Sequence, residues 1–258
     1  MPENDDLALL VAAAEAAGDI ARRHFGKAPR VWDKGRGQGP VSQADLEIDE
    51  MMRDRLRGAR PDYGWLSEES AEAQGAGGRG FIIDPIDGTR AFLDGQTGFA
   101  HALAVVEKGE PVAAVIYLPL RELCYTAARG TGAALNGVAI GVRDCDHVAG
   151  AEVLVARPQL ATELWPGGVP DLRRHFRPSL AWRMALVAEG QFDAMLTLRP
   201  TWHWDIAAGA LLIAEAGGVV SDGHGAALWF NTDEPRSDGV IAAGPALHAR
   251  LMRLRQGR

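Results

Sequence analysis

The chain has 258 residues, 47% of them apolar, which is enough to bury a full hydrophobic core in one large unit or in two closely packed units. Its 27 Lys and Arg against 34 Asp and Glu give a net charge of −7, which argues against binding a nucleic-acid polymer because a phosphate backbone requires a basic surface. The acidic first residues and the lack of a long apolar run argue against a signal peptide and a membrane span, so we expect a cytoplasmic protein with no membrane partner.

Two helices are predicted near the start of the chain. Apolar residues recur at helical spacing over 5–25, with acidic residues toward the start and basic residues at the end, as the helix dipole favours. A second helix begins at 41–45, where Ser42 followed by Asp45 resembles a capping box. The prolines and glycines of the intervening segment, 27–40, predict a mobile loop without regular structure.

A buried strand that ends in an acidic turn is predicted at 81–89, where the sequence reads Phe-Ile-Ile-Asp-Pro-Ile-Asp-Gly-Thr. The proline fixes its own φ and favours an extended Asp84, so that Asp84 and Asp87 can converge on one centre. Gly88 allows close approach of a ligand, and the N–H groups of Gly88 and Thr89 could hold an anion. Carboxylates beside free donors suit a divalent cation and its phosphate, although Asp-Pro or Asp-Gly alone would explain a simple polar turn.

The segments after this turn predict an antiparallel sheet flanked by the first two helices. Three strands follow in order, and Asn136-Gly137 then marks the turn of a hairpin. The predicted strands are 99–107, 111–118, 122–127, 133–135 and 138–140.

A second unit is predicted to begin near Asp144, which divides the chain into subdomains of about 1–143 and 144–258. Strands and helices alternate in the second unit and predict an α/β layer. The Ala- and Leu-rich run 206–216 predicts a buried helix that ends at Gly-Gly. The other predicted elements are strands at 153–156, 192–198 and 238–244 and helices at 180–189 and 245–255, while 158–178 stays unassigned.

Four further acidic residues each have a plain structural explanation. Glu68 and Glu69 follow a turn and could both be solvated. Asp205 could cap the buried helix that follows it, and Asp45 could act only as a carboxylate in the first turn of its helix.

The segments that contain these acids resemble the signatures of the inositol monophosphatase superfamily. The run at 81–89 resembles its first metal-binding signature, and Trp-Asp-x-Ala-Ala-Gly at 204–209 resembles its second. Val-Ser-x-x-Asp at 41–45 and Ser-Glu-Glu at 67–69 resemble two further elements of the family. The haloacid-dehalogenase signature has one residue between its two acids, whereas two residues separate the acids at 84 and 87 here, which favours the metal-ligand interpretation.

The resemblance implies an α+β fold, a layered α-β-α-β-α sandwich, and a phosphatase that uses two or three Mg²⁺ ions, is sensitive to Li⁺ and acts on a small-molecule phosphate monoester. The implied metal ligands are Glu68, Asp84, the Ile86 carbonyl, Asp87 and Asp205. The implied catalytic residues, which activate the attacking water with the metal, are Asp45, Thr89 and Glu68. The implied contacts to phosphate or substrate are Gly88, Thr89, Arg90 and Asp205.

The leaving group is less well defined by the sequence. Inositol-selective members carry an acidic residue about seven positions before the second-signature Asp, where this chain has Leu198 flanked by Arg199. Thr-Arg-Ala-Phe at 89–92, with Ala91 where inositol phosphatases usually have Asn, favours the 3′(2′),5′-bisphosphate nucleotidases. Arg90 and Arg199 could then bind the second phosphate.

Several alternatives to a nucleotidase remain open. They are an inositol-1-phosphate phosphatase, a histidinol-phosphate phosphatase, which shares Thr-Arg-Ala-Phe, and a non-catalytic regulatory or binding protein that depends on a metal. Every implied metal-binding position is filled, which favours catalysis. The chain could also form a homodimer.

Overall fold

Helices and strands alternate along residues 2–35, 39–230 and 234–257, which are the residues that the computed structural model describes. The α-helices in these ranges are α1 (Pro2–His24), α2 (Gln43–Ala59), α3 (Thr89–Leu93), α4 (Leu180–Ala188), α5 (His203–Glu215) and α6 (Pro245–Gln256). Short 3₁₀ helices span Arg157–Leu160 and Thr162–Leu164. The strands are β1 (Val31–Asp33), β2 (Pro40–Ser42), β3 (Gly64–Ser67), β4 (Arg79–Asp87), β5 (Ala100–Glu107), β6 (Glu110–Leu118), β7 (Leu123–Ala128), β8 (Gly132–Leu135), β9 (Val138–Ile140), β10 (Ala151–Val155), β11 (Leu172–His175), β12 (Ala194–Thr197), β13 (Thr201–Trp202), β14 (Val219–Ser221), β15 (Arg236–Ser237) and β16 (Val240–Ala243).

A seven-stranded sheet has the order β3-β4-β5-β6-β7-β8-β9. Its neighbours pair antiparallel, as predicted, except that β3 and β4 are parallel. The predicted hairpin is confirmed between β8 and β9, where Asn136 has φ 48° and Gly137 has φ 80°, the positive values that a tight hairpin turn requires.

A five-stranded sheet has the order β11-β10-β12-β16-β14. β10 pairs parallel with both β11 and β12, whereas β16 pairs antiparallel with both β12 and β14. β11 and the two 3₁₀ helices lie in the segment 158–178 and just before it, where the sequence pattern gave no assignment. A separate pair of short strands, β13 and β15, lies beside the start of α5.

The helices and sheets stack in five layers, which confirms the α-β-α-β-α sandwich. α1 and α2 cover one face of the seven-stranded sheet, and α4 and α5 cover the other. α4 and α5 also contact the five-stranded sheet, whose far face is covered by α6. α5 is apolar all round because it lies between two sheets, and at Gly209 a Cβ atom would lie 2.5 Å from the sulfur of Met184 on α4.

The seven-stranded sheet uses residues 64–140 and the five-stranded sheet uses residues 151–243, on either side of Asp144. α4 and α5 pack against both sheets and so join the two halves of the chain. The division into subdomains at this residue therefore stays a proposal. None of the helices in the described ranges has the length together with the apolar character that a membrane span needs.

Two local predictions were wrong in detail, and one short element was missed. In the segment predicted as an irregular loop, β1 pairs antiparallel with β2, because Val31 and Trp32 favour extended structure; residues 36–38 of that segment lie outside the described residues. The turn after Ile83 is still part of β4, with a shift of register between Asp84 and Asp87. The short helix α3 follows Gly88 directly and was not predicted.

Candidate active site

Three carboxylates from two distant parts of the sequence meet at the end of β4. The structure places Asp84 and Asp87 there, and Asp205 comes from the first turn of α5. Each offers one oxygen atom, and these atoms all lie within 4.8 Å of one another. Trp202 is the N-cap residue of α5 and its side chain makes no capping hydrogen bond, so Asp205 is not the N-cap residue. Asp205 lies in the first turn, where a hydrogen bond from the Trp202 backbone opposes the rise of its pKa.

The triad is electrostatically unfavourable without a cation. Burial, followed by the charges of Glu68, Asp87 and Asp205, raises the pKa of Asp84 well above its ordinary value. Its Oδ1 atom is buried and makes no hydrogen bond with any described residue. Burial raises the pKa of Asp205 in the same way. Hard oxygen ligands in this arrangement fit a divalent cation such as Mg²⁺, which would balance the charge and give Asp84 Oδ1 a partner.

Asp87 is held by the N-terminus of α4. Its Oδ2 atom accepts hydrogen bonds from Ser179 Oγ and from the Ala181 N–H, both at 2.6 Å. Ser179 also caps α4 by accepting a hydrogen bond from the Trp182 N–H at 2.9 Å. These bonds oppose the burial that raises the pKa of Asp87, and they leave its Oδ1 atom available to a metal. Sequence reasoning missed Ser179, because a residue that caps a helix gives no sign of a partner 92 positions away.

Glu68 directly follows β3 and lines the same cavity as the triad. It is not one of the three carboxylates whose oxygen atoms lie within 4.8 Å of one another, so its role as a metal ligand stays a prediction. Lys34 Nζ lies 2.7 Å from Glu68 Oε1 and 2.6 Å from Glu69 Oε1. The solvated alternative for Glu69 is wrong, because its side chain is 3% exposed. Burial together with the charge of Glu68 raises the pKa of Glu69 to about 8. Lys34 was missed because it lies in the segment predicted as an irregular loop.

Asp45 and Thr89 contact each other, as the implied catalytic pair requires. Thr89 Oγ1 lies 3.1 Å from Asp45 Oδ1 and 3.1 Å from the Ile86 carbonyl oxygen, and its proton can be donated to either. Asp45 Oδ2 accepts hydrogen bonds from the N–H and hydroxyl of Ser42, so the predicted capping box is also present. Burial raises the pKa of Asp45 to about 6, against the opposing hydrogen bonds from Ser42. One carboxylate therefore both caps α2 and contacts the threonine.

A cavity of about 620 Å³ opens beside these groups, a size that suits a small molecule. Glu68, Ile86, Gly88, Thr89 and the triad line it. Gly88 has φ 101°, a conformation that favours glycine, where the chain turns from β4 into α3. Arg90 also lines the cavity and is exposed, next to Gly39 of the β1–β2 segment.

The lining of the cavity also includes two arginines and several aromatic rings. Arg199 is exposed there, as its predicted role at the rim requires, and Arg183 of α4 is 8% exposed. Sequence reasoning missed Arg183, although a single charged residue in the otherwise apolar run of α4 was an available signal. The indoles of Trp202 and Trp204 stack with their ring centroids 4.6 Å apart, and both residues also line the cavity.

A sequence profile of the Inositol monophosphatase family matches residues 3–258. The chain is 36% identical over 259 residues to Inositol-1-monophosphatase from Rhizobium meliloti (strain 1021), with 96% of this chain and 94% of that protein covered. It is 32% identical over 240 residues to Nus factor SuhB from Escherichia coli (strain K12), with 87% and 89% covered. The solved structure of an IMPase from Thermotoga maritima has a TM-score of 0.85 at 28% identity and covers 98% of this chain and 97% of that chain.

Proposed function

We propose that this phosphomonoesterase, which belongs to the inositol monophosphatase family, uses Mg²⁺ to hydrolyse a small-molecule phosphate monoester. The observation that carries the proposal is the buried triad of Asp84, Asp87 and Asp205 with its unpartnered Oδ1 atom, on the wall of a cavity of about 620 Å³. A site of hard oxygen ligands next to a cavity suits a phosphate held by divalent ions.

We assign two or three Mg²⁺ ions to this wall of the cavity. Glu68, Asp84 and the Ile86 carbonyl would hold one ion, and Asp84, Asp87 and Asp205 would hold another, so that Asp84 serves both. Bound Mg²⁺ neutralises the charge of the phosphate and lowers the pKa of water.

Thr89 and Asp45 would position the attacking water and receive its proton. Thr89 Oγ1 lies next to the cavity and can accept a hydrogen bond from water while donating its own proton to Asp45 Oδ1. Asp45 is 0% exposed and does not line the cavity, so it would act through Thr89. Above its pKa of about 6, the Asp45 carboxylate can accept the proton that Thr89 passes on. The backbone N–H groups of Gly88 and Thr89 remain our candidates for holding the phosphate.

For the substrate, we retain 3′(2′),5′-bisphosphate nucleotides as the first choice. The supporting features are Arg90 and Arg199 on the cavity and the lack of an acidic residue at Leu198. Relatives named Inositol-1-monophosphatase favour inositol 1-phosphate instead, and histidinol phosphate is the third candidate.

Release of inorganic phosphate from these three substrates, with Mg²⁺ and with excess EDTA, tests the proposal. We expect release that requires Mg²⁺ and that Li⁺ inhibits. A clear preference for inositol 1-phosphate would overturn the nucleotide choice and leave the metal-dependent reaction intact. Lack of release from all three substrates and from p-nitrophenyl phosphate would contradict the proposed function.

A second candidate is a regulatory or binding role that depends on the metal but not on turnover. The observation in its favour is that several relatives are named Nus factor SuhB. Thr89→Ala separates the two functions, because it should remove hydrolysis and retain every proposed metal ligand. A cellular phenotype of the deleted gene that Thr89→Ala restores fully would favour the second role.

Three further proposals concern the setting of the protein. We expect it to act in the cytoplasm. We also expect it to bind no nucleic-acid polymer, because its net charge is −7. A homodimer is the oligomeric state to test first, by light scattering of the purified protein.

A further inference from the structure

Arg183 is a buried cation at the wall of the active-site cavity. It lies in α4, is 8% exposed and lines the cavity together with Asp87 and Asp205. Its Nε–H donates to the Arg177 carbonyl at 2.5 Å, and its Nη2 donates to the Pro178 carbonyl at 3.3 Å. Its Nη1 group makes no hydrogen bond to any residue in the described ranges, so the guanidinium retains donors for another molecule.

The charge of Arg183 has no ion-pair partner among the described residues. Burial lowers its pKa to about 10, so it stays charged at neutral pH. Asp87 and Asp205 attract it from beyond ion-pair distance, and Arg199 repels it. Because neither carboxylate forms an ion pair with Arg183, its guanidinium can still bind an anion of the substrate from the cavity.

The surroundings of Arg183 hold its guanidinium in a fixed plane. The group lies over the ring of Phe176, 4.3 Å from its centroid, and two carbonyls fix its other edge. A planar guanidinium fixed in this way is suited to bind a carboxylate or a phosphate through two hydrogen bonds. The phosphate to be cleaved belongs at the carboxylate triad, so the anion at Arg183 would be a different group of the same substrate.

We infer that Arg183, with Arg199, binds a second anionic group, a phosphate or a carboxylate, on the leaving group of the substrate. The inference rests on the proposed phosphatase function and narrows its substrate class. It assigns a role to Arg183 that neither the sequence patterns nor the family signatures give. Arg90 then lies outside this pair, on α3 beside Gly39.

Two matched pairs of substrates test the inference. Adenosine 3′-phosphate and adenosine 3′,5′-bisphosphate differ by one phosphate. Glycerol 2-phosphate and 2-phosphoglycerate differ by the exchange of a hydroxymethyl group for a carboxylate. We expect kcat/KM to be about 10–100-fold higher for the charged member of at least one pair, which is the effect of a charge-assisted hydrogen bond. The pair that shows the preference identifies the group as a phosphate or a carboxylate.

Arg183→Gln should remove most of that preference by raising KM for the charged substrate more than it lowers kcat. Arg183→Lys should restore part of the preference, because it keeps the charge without the planar pair of donors. The control is Arg121→Gln, which makes the same change of charge at an arginine that lies over Trp182, outside the cavity. Thermal unfolding of each variant shows whether it is folded.

The possible results separate this inference from the proposed function. If none of these four substrates releases phosphate while inositol 1-phosphate or p-nitrophenyl phosphate does, the inference alone is defeated. If no release is seen from any of the substrates, including those two and histidinol phosphate, both are defeated. Release without any preference for a charged member would defeat the inference alone. If folded Arg183→Gln loses activity equally on both members of a pair, Arg183 only braces the 177–178 segment. Loss of the preference in Arg121→Gln as well would show that it reflects net charge.

Discussion

Two groups of residues that line the cavity, which we call the carboxylate side and the arginine side, carry opposite charges. On the carboxylate side, Asp84, Asp87 and Asp205 lie close enough to share a cation, and all three have raised pKa values. On the arginine side, Arg183 and Arg199 repel each other and have no ion-pair partner within the described part of the chain. The carboxylates can bind added cations, and the arginines, which pair directly with no carboxylate of the described residues, can bind an anion of the substrate. A phosphate ester that arrives with metal ions and carries a further anion would satisfy both sides.

The two sides also differ in how rigidly the fold holds them. The carboxylates lie at the end of β4 and the start of α5, and Asp87 is fixed by two hydrogen bonds from Ser179 and Ala181. Arg183 is fixed by carbonyl groups of a short connecting segment, whereas Arg199 and Arg90 are exposed. Substitutions on the carboxylate side should therefore lower the rate of hydrolysis most. Substitutions on the arginine side should mainly change the preference among substrates.

The largest effect is expected from Asp84→Asn. It removes the carboxylate that we assign to two ions, so kcat/KM should fall by about 1,000-fold or more, beyond the 10–100-fold typical of residues that only support a ligand. Phosphate release at saturating Mg²⁺ measures the effect. Asp94→Asn, an exposed position on the rim of the same cavity, is the matched control. Full activity in Asp84→Asn would dismiss the metal assignment.

Thr89→Ala should lower kcat by about 100-fold, because the water loses the hydroxyl that links it to Asp45. The concentration of Mg²⁺ that gives half-maximal activity should change little, since the proposed ligands remain. Thr89→Ser keeps the hydroxyl and should retain most of the activity. If Thr89→Ala instead weakened the Mg²⁺ dependence and left kcat unchanged, the proton route through Asp45 would be wrong.

Lys34→Met tests how the charges balance on the carboxylate side. Lys34 Nζ contacts both Glu68 and Glu69, so its removal leaves those carboxylates more attractive to a cation. Half-maximal activation should require about 2–5-fold less Mg²⁺, which is the size of effect expected from the loss of a half-buried ion pair. Lys27→Met, an exposed lysine near the start of the same segment, should show no change. A higher Mg²⁺ requirement in Lys34→Met would mean that Lys34 helps to assemble the site.

The smallest effect is expected from Arg90→Ala. Arg90 is exposed at the rim and forms no ion pair with the residues that the structure describes, so KM for adenosine 3′,5′-bisphosphate should rise by only about 2–3-fold. Initial rates over a range of substrate concentrations measure the change. A tenfold or larger rise in KM would indicate that Arg90, rather than Arg183, binds the second anionic group.

The fold and the carboxylate side could be predicted from the sequence because residues close together in the chain indicate both. Buried strands, the apolar helix α5 and the hairpin at Asn136-Gly137 each give a local pattern of residues. Asp84 and Asp87 lie in one run, and the run around Asp205 resembles a known signature. Their convergence at one site is confirmed by the structure, whereas their roles stay predictions.

The residues that were missed are those whose role depends on a distant partner. Ser179 gives only the pattern of a helix cap, yet its hydroxyl contacts Asp87 across 92 positions of sequence. Lys34 lies in a segment rich in glycine and reaches Glu68 only because β1 pairs with β2. Arg183 is visible in the sequence as the one charged residue of the apolar helix α4. Its position at the cavity depends on how α4 packs between the two sheets.

The central claim is that the carboxylate side is destabilised unless divalent cations bind to it, and thermal unfolding of the wild type and Asp84→Asn tests this directly. In EDTA at pH 8, Asp84→Asn should unfold about 2–8 °C above the wild type, because it removes an uncompensated buried charge. The difference should shrink at pH 5.5, since a carboxyl whose pKa is raised on folding stabilises the protein in acid and loses that contribution as pH rises. With saturating Mg²⁺, the wild type should become the more stable protein. Equal unfolding temperatures in EDTA, with no effect of Mg²⁺ on either protein, would contradict the claim.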